Sequence, residues 1–162
     1  CGDIVAEQAF SSSAIRDFPI EDTVTISFRF ASGALGTFML SDTAACPRSW
    51  EQTSQENKAY SSYDDEDCYV ITGTFGSLSV PTMRLKTYAM AEERSWWKPF
   101  EVSTADVTRE DPLARQLEHF GAVVRGEVTP IVTARDGCEN LRITEAIVES
   151  GRTGLVINTS TK

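Results

Sequence analysis

The chain has 162 residues, 41% of them hydrophobic, with 15 Lys+Arg against 24 Asp+Glu for a net charge of −9. A chain of this length removes roughly 68–70% of its unfolded surface from water, so a single globular domain spanning residues 1–162 needs neither disulfides nor metals to form a core. The negative balance opposes a sequence-independent grip on nucleic acid or on acidic membrane surfaces, and no apolar run approaches the ~20 residues of a spanning helix.

The chain opens on Cys1 rather than Met, and Ile4, Val5 and Ala6 enter a strand at once. A mature bacterial lipoprotein also begins with Cys but continues into a polar tether, so the expectation is a piece cut from a longer chain. From Asp22 to Phe30 the alternation is regular: Val24, Ile26, Phe28 and Phe30 take one side, and Thr23, Thr25, Ser27 and Arg29 the other. Ala31-Ser32-Gly33-Ala34 leads into a second alternating run, Leu35 to Thr43, which predicts an antiparallel hairpin.

After Pro47, the stretch from Trp50 to Gln55 reads as a further strand, followed by an acidic loop containing Asp64, Asp65, Glu66 and Asp67. Cys68 to Thr72 and Ser77 to Val80 form a second hairpin around Gly73-Thr74-Phe75-Gly76, whose glycines suit a tight reversal. Strands from Met83 to Tyr88 and from Trp96 to Val102 complete a sheet of six to eight strands.

At Asp111 the period changes. Asp111-Pro112 is an N-cap followed by a first-turn proline, and Leu113, Leu117, Phe120 and Val124 recur on one helical face. A second helix is predicted from Thr133, with Asp136 in capping-box position; Leu141, Thr144, Val148 and Gly151 form its stripe, widened by Ile143 and Ile147, and Gly154 ends it. Leu155 to Ile157 is a last strand.

Strands first and helices last give an α+β domain: a mostly antiparallel open sheet with both C-terminal helices on one face. Leu117, Phe120, Leu141 and Ile147 are then core residues, and a polar change at Phe120 should unfold the domain. The other face, with Thr25, Ser27, Thr37, Met39 and Ser41, is either solvated or a contact surface for another copy.

The chemistry candidates are few. Cys1, Cys46, Cys68 and Cys138 are widely spaced with no CxxC pair, and His119 has no ligand partner near it in sequence. No metal site is expected, and reduced thiols in a cytoplasm are. Gly73 to Gly76 is followed by a strand rather than a helix, so it is not a phosphate loop, and no nucleotide-binding fingerprint occurs. Arg48 and Trp50 join a fork of donors to a stacking surface, a pairing suited to polyol or carboxylate ligands or, equally, to rim packing; Tyr60 and Tyr63 carry the same two readings.

Four segments in order look like one known family: Glu21 to Thr23 opening a strand that ends Phe30-Ala31-Ser32-Gly33-Ala34-Leu35-Gly36; Gly73 to Leu78; Gln116 to Phe120 with Val124-Arg125-Gly126; and Asp136-Gly137 through Ser150-Gly151-Arg152-Thr153-Gly154. Over nearly the whole chain they resemble the C-terminal domain of the glucose–fructose oxidoreductase/inositol dehydrogenase/MocA (Gfo/Idh/MocA) family. The resemblance implies an NAD- or NADP-dependent dehydrogenase of a sugar, cyclitol or related polyol. Its N-terminal Rossmann domain and catalytic helix would precede this chain, and its sheet would form homo-oligomers. The family's dinucleotide fingerprint, Glu-Lys-Pro motif and Asp-x-x-x-His helix do not occur here, so no catalytic residue is assigned and the chain alone is not expected to be catalytic. By position, Tyr63 falls in the segment that helps line the family's substrate pocket, with Arg48 and Trp50 on a nearby loop. The alternative is a non-catalytic ligand-binding or interaction module, exported from the cell.

Overall fold

The computed structural model describes residues 1–159. The chain forms two compact units, one made of residues 1–45 with the segment from 129 onward, the other of residues 46–128. Each carries its own antiparallel four-stranded sheet, so the α+β class holds while the single continuous sheet expected from sequence is replaced by two. No described helix is long and apolar enough to cross a membrane.

In unit 1 the strands β1 (Ile4–Ser12), β2 (Thr23–Phe30), β3 (Leu35–Ser41) and β8 (Ile157–Asn158) lie in the order β3-β2-β1-β8, under the helix α3 (Ala134–Thr153). The alternation of β2 is the reason for the core: Val24 and Ile26 are buried with Ala9 of β1, and Phe28 and Ile147 pack around them. The ladder pairs Ala9 with Ile26 and Ile26 with Phe38, and a bulge between Ile4 and Ala6 shifts the start of β1.

Both ends of α3 follow the signals in the sequence. Thr133 accepts the Asp136 amide while Asp136 accepts the Thr133 amide, a capping box, and Gly154 closes the helix in the left-handed region at φ 71°. Its buried face, however, is Ile143, Ala146, Ile147 and Ser150, the i, i+3, i+4, i+7 set, rather than the stripe through Leu141 and Val148, which are exposed. Helix and sheet approach closely because the contact residues are small. A Cβ at Gly151 would lie 3.0 Å from Ser11 Oγ. Ser150 Oγ accepts the Ala9 amide at 2.9 Å and donates to the Leu155 carbonyl at 2.6 Å, in a region where the ladder between β1 and β8 has already ended at Glu7.

In unit 2 the strands β4 (Tyr69–Thr72), β5 (Gly76–Val80), β6 (Arg84–Thr87) and β7 (Glu101–Thr104) form a simple meander. Gly76 has no room for a side chain, since a Cβ there would sit 2.3 Å from the Lys86 carbonyl oxygen. Two segments read as strands prove otherwise. Trp50–Thr53 is a short helix, α1, capped by Ser49, whose hydroxyl accepts the Gln52 amide. Trp96 and Trp97 lie in an almost fully exposed turn, in which the Trp97 amide donates to Ser95 Oγ, and β7 begins only at Glu101.

The helix α2 (Pro112–Val124) starts as its cap predicts, with Asp111 accepting the Leu113 and Ala114 amides. Its expected role is corrected: α2 belongs to unit 2, and Leu117 and Phe120 are 71% and 65% exposed, so they are not core residues. Of the four proposed core residues, Ile147 alone packs on a sheet.

Candidate functional site

Unit 2 gathers the substrate-side candidates on one pinned segment. The first pin is α1. Ser49 caps it, Thr53 Oγ1 donates to the Ser49 carbonyl at 2.8 Å, and Thr53 and Ser54 are buried beneath. Arg109 then reaches back across 55 residues to donate to the Ser54 carbonyl at 2.7 Å. The Tyr63 amide donates to the Gln52 carbonyl at 2.9 Å, fixing the return of the loop.

Each predicted residue has a definite place in this segment. Arg48 Nε donates to Glu66 Oε2 at 2.8 Å, and the Glu66 amide donates to the Tyr63 carbonyl at 3.2 Å, so Arg48 and Tyr63 are coupled through Glu66. Trp50 packs against Tyr69 of β4 with ring centroids 6.0 Å apart, and its indole N–H donates to Glu56 Oε2 at 2.8 Å. The guanidinium of Arg48 and the indole N–H of Trp50 are thus already engaged. The Tyr63 hydroxyl has no hydrogen-bond partner among the described residues, and its side chain is half exposed.

Beside these three lies an open cleft of about 330 Å³ whose walls include Glu51, Gln55, Lys58, Tyr60 and Asp64. None of Arg48, Trp50 and Tyr63 lines it. The acidic stretch is an exposed loop, and part of it walls this cleft. In sequence the signal was Ser49-x-x-Gln52, a capping pattern that turns Trp50 and Glu51 onto a helix.

Unit 1 presents a smaller hollow of about 230 Å³ on the sheet face away from α3, lined by Gln8, Phe10, Thr25, Ser27, Thr37 and Met39. Phe10 and Met39 are largely exposed there. On the opposite face Glu7 is buried; its Oε2 accepts from Thr159 Oγ1 at 3.1 Å while its Oε1 has no partner among the described residues. Burial raises its pKa above the ordinary 4.5, opposed by the Thr159 hydrogen bond and the charge of Arg142.

The glycines that a dinucleotide site would need are spent elsewhere. Gly73 to Gly76 is the turn between β4 and β5, closed by the Gly73 amide donating to the Gly76 carbonyl at 2.8 Å, with no helix after it to receive phosphates. These residues do not fit a nicotinamide dinucleotide.

A meander of short strands and a second sheet covered by one C-terminal helix define an α+β fold, and a family match says which one. Residues 3–159 match the family described as "Oxidoreductase family, C-terminal alpha/beta domain", and the chain belongs to it: it is a C-terminal domain of the Gfo/Idh/MocA oxidoreductases. Among curated proteins no relative matches.

Many solved structures share the fold, among them these three. An NAD-binding protein from Listeria innocua superposes with a TM-score of 0.68 at 14% identity, over 98% of this chain and 42% of that one. An aldose-aldose oxidoreductase from Caulobacter crescentus, complexed with glycerol, gives 0.65 at 20% identity, over 98% and 42%. A levoglucosan dehydrogenase, in complex with NADH and levoglucosan, gives 0.62 at 19%, over 99% and 46%. The chain therefore spans less than half the length of the proteins it resembles.

Proposed function

We propose that this chain is the substrate-binding and oligomerisation half of a cytoplasmic NAD- or NADP-dependent dehydrogenase acting on a sugar, cyclitol or related polyol. The dinucleotide and the catalytic groups belong to an N-terminal Rossmann domain of the same polypeptide. The observation that carries this reading is the pinned segment of unit 2: Tyr63 offers an unengaged hydroxyl on a backbone held by Gln52 and by Glu66, which itself pairs with Arg48. Glycerol, levoglucosan and NADH in the structures it resembles support the ligand classes. Thr25, Ser27, Thr37 and Met39 on the open face of unit 1 make the surface through which copies associate.

The test uses the full-length enzyme with a panel of sugars and cyclitols, following reduction of NAD and of NADP. Tyr63→Phe and Trp50→Ala are expected to raise KM for the substrate about five- to tenfold, the value of one to two hydrogen bonds or a stacking contact, while leaving the Kd for the dinucleotide unchanged. Unchanged KM in both variants removes these residues from the substrate site. A light-scattering mass of one chain over a wide concentration range removes the oligomer face.

A further inference from the structure

We propose that Glu7 holds a proton in the closed structure and that this proton locks the strand β8 onto β1, so that β8 lifts away when the proton is lost. Glu7 is 1% exposed and stands in the ladder between the two strands, opposite Ile157. Just past the other end of that ladder, Thr159 holds β8 in place. Its amide donates to the Val5 carbonyl at 2.9 Å and its carbonyl accepts from Arg142 of α3. Its hydroxyl lies 3.1 Å from both the Ile4 carbonyl oxygen and Glu7 Oε2.

The hydrogen bonds assign the proton to Glu7. The Thr159 hydroxyl has a single hydrogen, and it faces two acceptors if Glu7 is a carboxylate, since carbonyl and carboxylate oxygens can only accept. One of the two then goes short in a buried place. A protonated Glu7 reverses its bond and removes the shortage: its O–H donates to Thr159 Oγ1, and the Thr159 hydroxyl gives its own hydrogen to the Ile4 carbonyl. The second carboxyl oxygen points to the same state, because Oε1 is buried with no partner among the described residues. An unpaired carbonyl oxygen costs much less there than an unpaired half of a carboxylate.

The surroundings do little to stabilise a carboxylate. Among the described residues the charge that acts on Glu7 is that of Arg142 on α3, and Arg142 is committed to Glu139 at 2.6 Å and to the Thr159 carbonyl. The cross-strand neighbours of Glu7, Phe28 on β2 and Ile157 on β8, carry no charge. Burial accordingly raises its pKa above the ordinary 4.5.

When Glu7 ionises, the least costly way to bring water to it is to lift β8. That strand has two residues, against nine in β1, eight in β2 and twenty in α3, and short border elements open locally at low free energy. Lifting β8 frees the carbonyls of Ile4 and Val5, so the border of β1 becomes available to another strand.

The test is NMR titration of the full-length, isotope-labelled protein, with the Glu7 carboxyl assigned through its own backbone, combined with amide exchange from about pH 4 to about pH 8. The Glu7 carboxyl should titrate with a midpoint above the ordinary 4.5. Protection of the Thr159 amide, corrected for the intrinsic exchange rate, should fall by up to about tenfold per pH unit between that ordinary value and the Glu7 midpoint, then level off, while the Ile26 amide keeps its protection. In Glu7→Gln, whose side-chain amide can donate to Thr159 at every pH, the fall should vanish. A Glu7 midpoint at or below the ordinary value overturns the proposal, as does Thr159 protection that ignores pH or a fall shared equally by Ile26; these three readouts need no variant. A fall that persists in Glu7→Gln overturns it too.

Discussion

Unit 1 builds its core from strands of nine, eight and seven residues beneath a twenty-residue helix, whereas unit 2 has strands of only four or five residues and buries Thr53 and Ser54 at the end of α1. The buried alanines, valine and isoleucine, Ala6, Ala9, Val24, Ile26 and Ala146, all belong to unit 1. Unit 2 relies on aromatic pairs, Trp50 with Tyr69 and Tyr88 with Phe100, and on side chains that tie loops to backbone carbonyls. Apolar burial is non-directional and sets a platform; hydrogen-bonded loops are directional and hold polar groups at fixed points. The division teaches how each unit holds itself: by apolar burial under long strands in unit 1, by ring contacts and loop hydrogen bonds around short strands in unit 2.

This contrast can be broken at a chosen place. Trp50, Trp96 and Trp97 all lie in unit 2, so tryptophan fluorescence follows that unit, while amide exchange in β1 and β2 follows unit 1. The largest effect is expected from Gly76→Ala, which places a Cβ against the Lys86 carbonyl and costs about 2–3 kcal/mol. The fluorescence midpoint should fall while β1 and β2 exchange little faster; a joint fall means that the units unfold together. Ser150→Ala is the converse. It strands the Ala9 amide and the Leu155 carbonyl, costs about 1–3 kcal/mol, and should speed amide exchange in unit 1 first.

Glu7 makes unit 1 sensitive to pH in a direction that can be worked out. Its folded pKa is raised, so its contribution is complete below the ordinary 4.5 and is lost as pH rises through the folded value, where the unfolded chain gains by ionising. Glu7→Gln should therefore raise stability at neutral pH relative to the unmodified protein and flatten its decline above pH 4.5. Asp22 acts oppositely: amides of Arg16 and Ile15, with the Thr23 hydroxyl, hold its pKa below the ordinary 3.8, so its contribution disappears as pH falls through that lower value. Denaturant titrations across pH should show the Glu7→Gln change on the alkaline limb alone. The smallest effect is expected at Phe120→Ser, within about 0.5 kcal/mol in thermal melts, since the ring lies on an exposed stripe.

Much of unit 1 is legible in the sequence because its signals are periodic or chemically specific. The alternation from Val24 to Phe28 gives the core face, and Thr133, Asp136 and Gly154 fix both ends of α3. What periodicity does not contain is the partner. The apolar stripe of α2 is as regular as that of α3, yet it stays exposed, and α3 turns Ile143, Ala146 and Ser150 inward because closeness to β1 favours small residues over Leu141. Unit 2 is harder to read. A four-residue helix is too short to leave a helical period, so Trp50–Thr53 passes for a strand, and a run of carboxylates looks alike whether it faces solvent or walls a cleft. Arg48, Trp50 and Tyr63 were visible as residues with chemistry; Glu51, Lys58 and Asp64 became visible only once the fold bent the chain around them.

The hydroxyl of Ser150 has one more consequence, for how copies of the protein avoid each other. β8 pairs only with Ala6 and Glu7, so the outer border of β1 beyond that point would be a bare row of amides and carbonyls, a template onto which a foreign strand can zip. Ser150 occupies the Ala9 amide, and Gln8 Nε2 donates to the Gly154 carbonyl alongside it, so a helix seals the border where the strand runs out. Without that one oxygen the Ala9 amide would stand unpaired on the border, the kind of group onto which a foreign strand adds.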